Sequence, residues 1–212
     1  MKVRISDHAQ RTPGWFADRC GKVTGSACAA IFAKGKAKGE ESTERRKYRL
    51  QLALETITGQ PAGSTYMNAA MQRGIDLEAE AVAAYEAATG NMVTVPGFMF
   101  AETEQIGASL DGLVNADGAL EAKVPDSTTH LAYIRGKRIP PEYVAQVTHN
   151  IFVSGRKWLD FVSYDPRFPE PLRLFVWRVH ADDLNLSAHA EAVRGFLGEV
   201  EAEVNSIKEL MK

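Results

Sequence analysis

The sequence predicts an α/β or α+β fold built on one central mixed β-sheet of about five strands flanked by helices. Three observations carry this expectation. An alanine-rich helical pattern over residues 66–89 is closed by Gly90 at a C-cap position. Short strand-like segments follow at 92–100, 106–115, 119–124, 157–165 and 172–180, with helical patterns interrupting the series. An amphipathic run then begins at Asp182-Asp183 and continues to the C-terminus, its acidic start suited to a helix N-terminus.

The remaining elements are placed around these. Residues 14–20 and 25–33 read as short helices, and 40–58 as a longer one. Between them Lys34-Gly-Lys-Ala-Lys-Gly-Glu is a small basic loop, read either as a surface loop or as one that touches DNA backbone. Ala116-Asp117-Gly118 is expected to close a hairpin, with the glycine supplying positive φ. Ser127 is expected to cap a helix to about Gly136, and Pro140-Pro141 to open another ending near Ser154. The chain is thus read as one domain over 1–212, with a helical N-terminal region over residues 1–90, a sheet core over 91–180 and a C-terminal helix over 182–211.

Composition narrows the class. At 212 residues, 45% hydrophobic and 25% charged, the chain suits a globular protein with a full core. No apolar run approaches the roughly 18–20 residues that span a bilayer, and the N-terminus lacks an apolar signal core, so a cytoplasmic location is expected. The two cysteines, Cys20 and Cys28, show neither CxxC nor Cys/His ligand spacing, which speaks for reduced thiols and against a structural zinc site. Net charge is −2 but unevenly spread: residues 1–60 hold twelve Lys/Arg against six Asp/Glu, and residues 181–212 three against seven. One face can therefore meet phosphate while another meets solvent or a partner.

Chemistry concentrates in the hairpin. Glu121 and Lys123 lie two apart on a strand and share a face, and the turn folds Asp111 back beside them. Two carboxylates and a lysine suit a hard divalent cation such as Mg²⁺, with the lysine orienting water and stabilising developing charge in phosphodiester hydrolysis. The same three residues also read as a strand-end turn aspartate beside an exposed salt-bridged pair. Glu78, on the border of the apolar stripe Leu77, Ala81 and Val82, is a carboxylate that needs a partner or a metal, whereas Asp76 and Glu80 are expected to face solvent.

Four segments in order resemble the PD-(D/E)XK nucleases, and within them the lambda-exonuclease-like branch of viral alkaline exonucleases, the YqaJ-type recombinases. Trp15-Phe-Ala-Asp-Arg19-Cys-Gly-Lys-Val-Thr-Gly-Ser26 is similar to the family's W…R-x-G-x-[IV]-T-[AG]-S opening, and Arg73-Gly-Ile-Asp-Leu-Glu78 to its G-x-x-x-E helix. Ala108-Ser109-Leu110-Asp111-Gly112 with Glu121-Ala122-Lys123 corresponds to the metal motif, and Pro141-Glu-Tyr-Val-Ala-Gln146-Val to the P-x-x-x-x-Q-V-Q helix. The departures are Leu110, where the family often has proline, and Thr148 in place of the second glutamine, with His149 following as a packing or polar-network residue.

The resemblance implies a restriction-endonuclease-like fold in which Asp111, Glu121 and the Ala122 carbonyl ligate Mg²⁺ (Mn²⁺ substituting), Lys123 assists the nucleophilic water and Glu78 is an outer carboxylate. It further implies that Arg19, Ser26, Ser109 and Gln146 grip the 5′-terminal phosphate of DNA. Arginine offers bidentate donors to phosphate, and Ser26 falls near a helix N-terminus. Trp15 reads as core first and stacking platform second. The implied activity is 5′→3′ exonuclease action on linear double-stranded DNA, leaving 3′ overhangs for a single-strand annealing protein, by a homo-oligomer arranged as a trimeric ring. The rival readings are a structure-specific or restriction-type endonuclease on the same core, and a catalytically inactive DNA-binding or assembly module.

Overall fold

The computed structural model describes residues 1–37, 39–62 and 68–212. In chain order they form β1 (Val3–Ile5), α1 (Pro13–Arg19), a 3-10 turn (Gly25–Ala27), α2 (Ala29–Phe32), α3 (Thr43–Thr58) and α4 (Ala69–Thr89). Next come β2 (Val93–Thr94), β3 (Met99–Ala101), β4 (Gly107–Ala108), β5 (Gly112–Val114) and β6 (Gly118–Lys123). The chain closes with α5 (Ser127–Gly136), α6 (Pro141–Ser154), β7 (Trp158–Tyr164), β8 (Leu174–His180) and α7 (Leu186–Glu209).

The expected five-stranded mixed sheet is present, in the order β2-β5-β6-β7-β8. Its only parallel pair among the described residues is β6 with β7, and α5 and α6 make the crossover between them. One face, with Ala119, Leu159 and Phe161, packs into the main core with Val147 and Ile151 of α6 and Phe196 of α7. The other, with Leu120 and Val162, is covered by Tyr85 of α4. Because β6 alternates, Glu121 and Lys123 fall on the α6 side with Ala119.

Several local expectations are corrected. Residues 92–100 do not form one strand: Val95-Pro96-Gly97-Phe98 break them into β2 and β3, which belong to different sheets. Residues 106–115 are likewise divided into β4 and β5, and a small second sheet, β1-β3-β4, takes the leftover pieces. In the β5–β6 hairpin the residue at positive φ is Asn115, at 48°, not Gly118. Gly118 is needed for space instead, since a Cβ there would overlap the Trp158 ring of β7. Asp126, rather than Ser127, caps α5 by accepting from the Thr129 N–H at 2.9 Å. Asp182-Asp183 lie in a 3-10 turn, and the terminal helix starts at Leu186 behind the Asn185 cap.

The α4 boundary agrees where it is described: Asn68 caps the helix and Gly90, at φ 69°, ends it, while residues 66 and 67 of the expected span lie outside the described residues. Lys38 of the basic loop also lies outside them, and its flanks are tied by a bridge between Lys34 and Glu41. Among the described residues no helix is long and apolar enough to cross a membrane.

Candidate active site

The backbone is pinned just before Asp111. Leu110 is wholly buried, and Gln10 Nε2 donates to its carbonyl at 2.8 Å and to that of Pro96 at 3.2 Å. Gly112 stands opposite Leu120 in the hairpin, which sets Asp111 beside Glu121. Asp111 Oδ2 accepts the Ala122 N–H at 2.8 Å, so its position is fixed from the strand it faces.

Glu121 is only 1% exposed. A carboxylate in that setting is costly unless donors meet it. Three do: Lys123 Nζ at 2.5 Å and Gln146 Nε2 at 2.6 Å on Oε1, and Asn150 Nδ2 at 2.8 Å on Oε2. Gln146 and Asn150 lie one helical turn apart on α6 and so reach the same group. Glu78 enters from α4, paired with Arg11 Nη2 at 2.5 Å. Arg11 holds a left-handed φ of 66°, unusual for a residue with a side chain. Glu80 is exposed, as expected, and accepts the Tyr164 hydroxyl at 2.6 Å.

The electrostatics follow from this crowding. Burial, then the charge of Glu121, raises the Asp111 carboxyl well above its ordinary range, with Glu78 adding to the effect. Burial would lower the Lys123 ammonium, but attraction to Glu121 and Asp111 and the hydrogen bond to Glu121 prevail and hold it above the usual lysine range. Three carboxylates thus converge around Asp111, and a divalent cation held among them would relieve their mutual repulsion. The donors are all oxygens, which fits Mg²⁺ or Mn²⁺ and not a soft metal.

In the same cleft Arg19 donates to Ser109 Oγ at 2.5 Å, and its guanidinium lies 4.2 Å from the centre of the Trp15 ring. Stacking of this kind holds the planar fork in place. Burial lowers the Arg19 pKa from its ordinary value. Trp15 is itself buried, in keeping with a core role, while also serving as the platform for Arg19. Ser26 is exposed, in the short 3-10 turn before Cys28.

All nine residues expected at the site, Arg19, Ser26, Glu78, Ser109, Asp111, Glu121, Ala122, Lys123 and Gln146, line a single cleft of about 630 Å³. The resemblance places Gln146 on phosphate, yet in the structure its amide donates to Glu121. Thr148 turns its hydroxyl back to the Val144 carbonyl at 2.7 Å and does not reach the cleft. Sequence reasoning misses Asn150, Arg11 and Tyr143, whose ring lies 5.1 Å from Lys123 Nζ. A signal exists for Asn150, since it is four residues from Gln146 and shares its helical face.

The YqaJ-like viral recombinase domain model matches residues 14–157. Among solved structures, the alkaline exonuclease LHK-Exo of Laribacter hongkongensis is 38% identical with a TM-score of 0.84, the match covering 94% of this chain and 98% of that one. Its complex with dAMP matches at a TM-score of 0.85 with the same identity and coverage. A phage-related exonuclease from Haemophilus somnus 129PT shares the fold at 15% identity and a TM-score of 0.67, over 90% of this chain and 96% of that one. No curated protein matches. With the family model matching residues 14–157 and an alkaline exonuclease 38% identical over 94% of the chain, the chain belongs to the YqaJ-like viral recombinase family and is a nuclease of the lambda-exonuclease-like kind.

Proposed function

We propose that this nuclease is a Mg²⁺-dependent 5′→3′ exonuclease that starts on 5′-phosphorylated ends of linear double-stranded DNA and leaves 3′ overhangs. The observation that carries the reading is the sharing of one cleft by two chemically different groups: Asp111, Glu121 and Lys123, and Arg19 with Ser109. A guanidinium and a hydroxyl held beside the carboxylates suit a terminal phosphate, which an end-directed enzyme has to hold next to its cutting site. A dAMP complex of the Laribacter exonuclease is consistent with a site that releases mononucleotides.

Asp111, Glu121 and the Ala122 carbonyl would hold the cation, with Glu78 as an outer carboxylate and Mn²⁺ able to substitute. When bound, the cation polarises the scissile phosphate and acidifies bound water. The protein residues supply the rest. Lys123, kept protonated by Glu121, orients the attacking water and stabilises the charge that grows on the phosphate. Arg19, steadied by Trp15 and Ser109, receives the terminal phosphate with Ser26 at the rim. Gln146 and Asn150 keep Glu121 aimed. A trimeric ring around DNA and a single-strand annealing partner complete the proposal, both drawn from the family resemblance.

One gel tests it. Linear duplex with a 5′-phosphate, linear duplex with a 5′-hydroxyl and closed circles are incubated with and without Mg²⁺. The 5′-phosphorylated linear substrate should be degraded fastest, the circle should survive, and Lys123→Ala should abolish cleavage without unfolding the chain. Rapid nicking of circles would replace this reading with an endonuclease.

A further inference from the structure

Away from the carboxylate cleft, Cys28, His149 and His189 come together from the start of α2, from α6 and from α7. Cys28 and His149 are wholly buried and His189 is 5% exposed. Cys28 Sγ lies 3.6 Å from His149 Nδ1 and 3.8 Å from His189 Nε2, and the two nitrogens are 3.2 Å apart. A tetrahedral zinc ion with Zn–S of about 2.3 Å and Zn–N of about 2.0–2.1 Å requires S···N edges of about 3.6 Å and an N···N edge of about 3.3 Å. The three observed edges are one triangular face of such a tetrahedron.

The orientation of the rings agrees. His149 Nε2 lies 3.1 Å from the Gly107 carbonyl, which can only accept, so the proton sits on Nε2 and Nδ1 turns its lone pair into the triangle. Metal-ligating histidines are commonly set in this way by a carbonyl or carboxylate behind them. As a purely hydrogen-bonded cluster the arrangement is poorer, because the Cys28 thiol and a His189 N–H would compete for the one lone pair of His149 Nδ1. Burial disfavours the charged form of both rings, and it also pushes the Cys28 thiol up to about 12, so a metal bound here has to displace a firmly held proton. The rings of Phe32 and Phe152 lie 5.5 and 5.7 Å from His189 and give the cluster an apolar wall.

We propose that Cys28 Sγ, His149 Nδ1 and His189 Nε2 supply three ligands of a transition-metal site, zinc by its ligand chemistry. Binding exchanges the thiol proton, released to solvent, for a thiolate–metal bond. The metal would staple α7 and the start of α2 to α6 at His149, the residue before Asn150 and one turn from Gln146. Ser26 lies two residues before Cys28. The site would therefore brace the Glu121 side of the cleft from behind through α6, without touching substrate.

Cobalt(II) titration of the chelator-stripped full chain tests the proposal. The thiolate-to-cobalt charge-transfer band should saturate at about one bound equivalent, together with the strong visible bands of tetrahedral coordination. The oxygen ligands of the carboxylate cleft cannot give the charge-transfer band. Cys28→Ser should abolish it, His189→Ala should weaken or abolish it, and Cys20→Ser should keep it. Zinc at a hundredfold above its Kd should raise the melting midpoint by about 5–10 °C. A folded wild-type chain that shows no saturable charge-transfer band overturns the proposal, whatever the variants do. A band that persists in Cys28→Ser overturns it as well.

Discussion

Asn150→Ala is the sharpest test of how the cleft holds its carboxylate. The side chain is 1% exposed and its Nδ2 lies 2.8 Å from Glu121 Oε2, the oxygen that neither Lys123 nor Gln146 reaches. Its removal leaves that oxygen without its side-chain donor and free to swing. Hydrogen bonds to a charged group are worth about 1.5–3 kcal/mol, a factor of roughly 10–150 in an equilibrium constant. Loss of groups that orient metal ligands typically lowers metal affinity or activity by about 10–100-fold. The expected result is a Mg²⁺ half-saturation raised at least tenfold in exonuclease assays on 5′-phosphorylated linear duplex, with the preference for 5′-phosphate unchanged. Circular dichroism must show the fold intact. Gln146→Ala should behave alike, and the double variant should lose less than the product of the two, because both amides serve one carboxylate. A half-saturation for Asn150→Ala within twofold of wild type would refute the reasoning. If Gln146→Ala instead erased the 5′-phosphate preference at unchanged Mg²⁺ dependence, Gln146 would belong to the phosphate grip.

Two further outcomes follow from other contacts. Arg19→Ala should slow degradation of 5′-phosphorylated ends by about tenfold or more, the worth of one charge-assisted hydrogen bond, while 5′-hydroxyl ends change little; equal slowing of both would remove the phosphate role. Asp165 is wholly buried and accepts from Arg167 Nε and Nη2 at 2.8 Å and from Ser127 Oγ at 2.7 Å. Burial opposes its charge, but these donors prevail and hold the carboxyl below its usual range. Its contribution to stability is therefore present above about pH 4, the unfolded-state value, and is lost as pH falls further. Asp165→Asn should cost about 1.5–3 kcal/mol at neutral pH. Thermal melts should show that gap closing below about pH 4, and a gap independent of pH would contradict the assignment.

What was legible in the sequence was what short-range physics determines. The five-stranded sheet and the long helices carry period and cap signals over many residues, as with Gly90 closing α4 and Pro141 opening α6. The cluster of Asp111, Glu121 and Lys123 was legible because a tight hairpin makes neighbours of residues ten apart. The second sheet was not, since β1, β3 and β4 are two or three residues long and take their pairing from tertiary context. The turn at Asn115 is easily misplaced because Gly118 looks like a positive-φ residue, when its real constraint is the Trp158 ring on a strand forty residues away. Cys28, His149 and His189 are invisible to any spacing rule: the separations are 121 and 40 residues.

The helix α6 unites these observations. Val147, Thr148, His149, Asn150, Ile151 and Val153 are all buried, so the C-terminal half of this helix lies inside the molecule while its first turn, with Glu142 and Val144, stays exposed. Polar groups at such positions are destabilising unless each finds a partner. Thr148 satisfies itself on its own helix, but Gln146 and Asn150 are committed to Glu121, and His149 to the Gly107 carbonyl and the cysteine–histidine triangle. A helix selected for stability alone would carry leucine or valine at these positions. The polar residues are explained if α6 is the rod that transmits position: its middle is fixed at His149, and the adjoining residues set the angle of Glu121, the carboxylate proposed to hold the cation. On that account, loosening the triangle should reach the cleft through Glu121 and not through Arg19. Cys28→Ser would then raise the Mg²⁺ requirement in the same sense as Asn150→Ala while leaving recognition of the phosphorylated end in place.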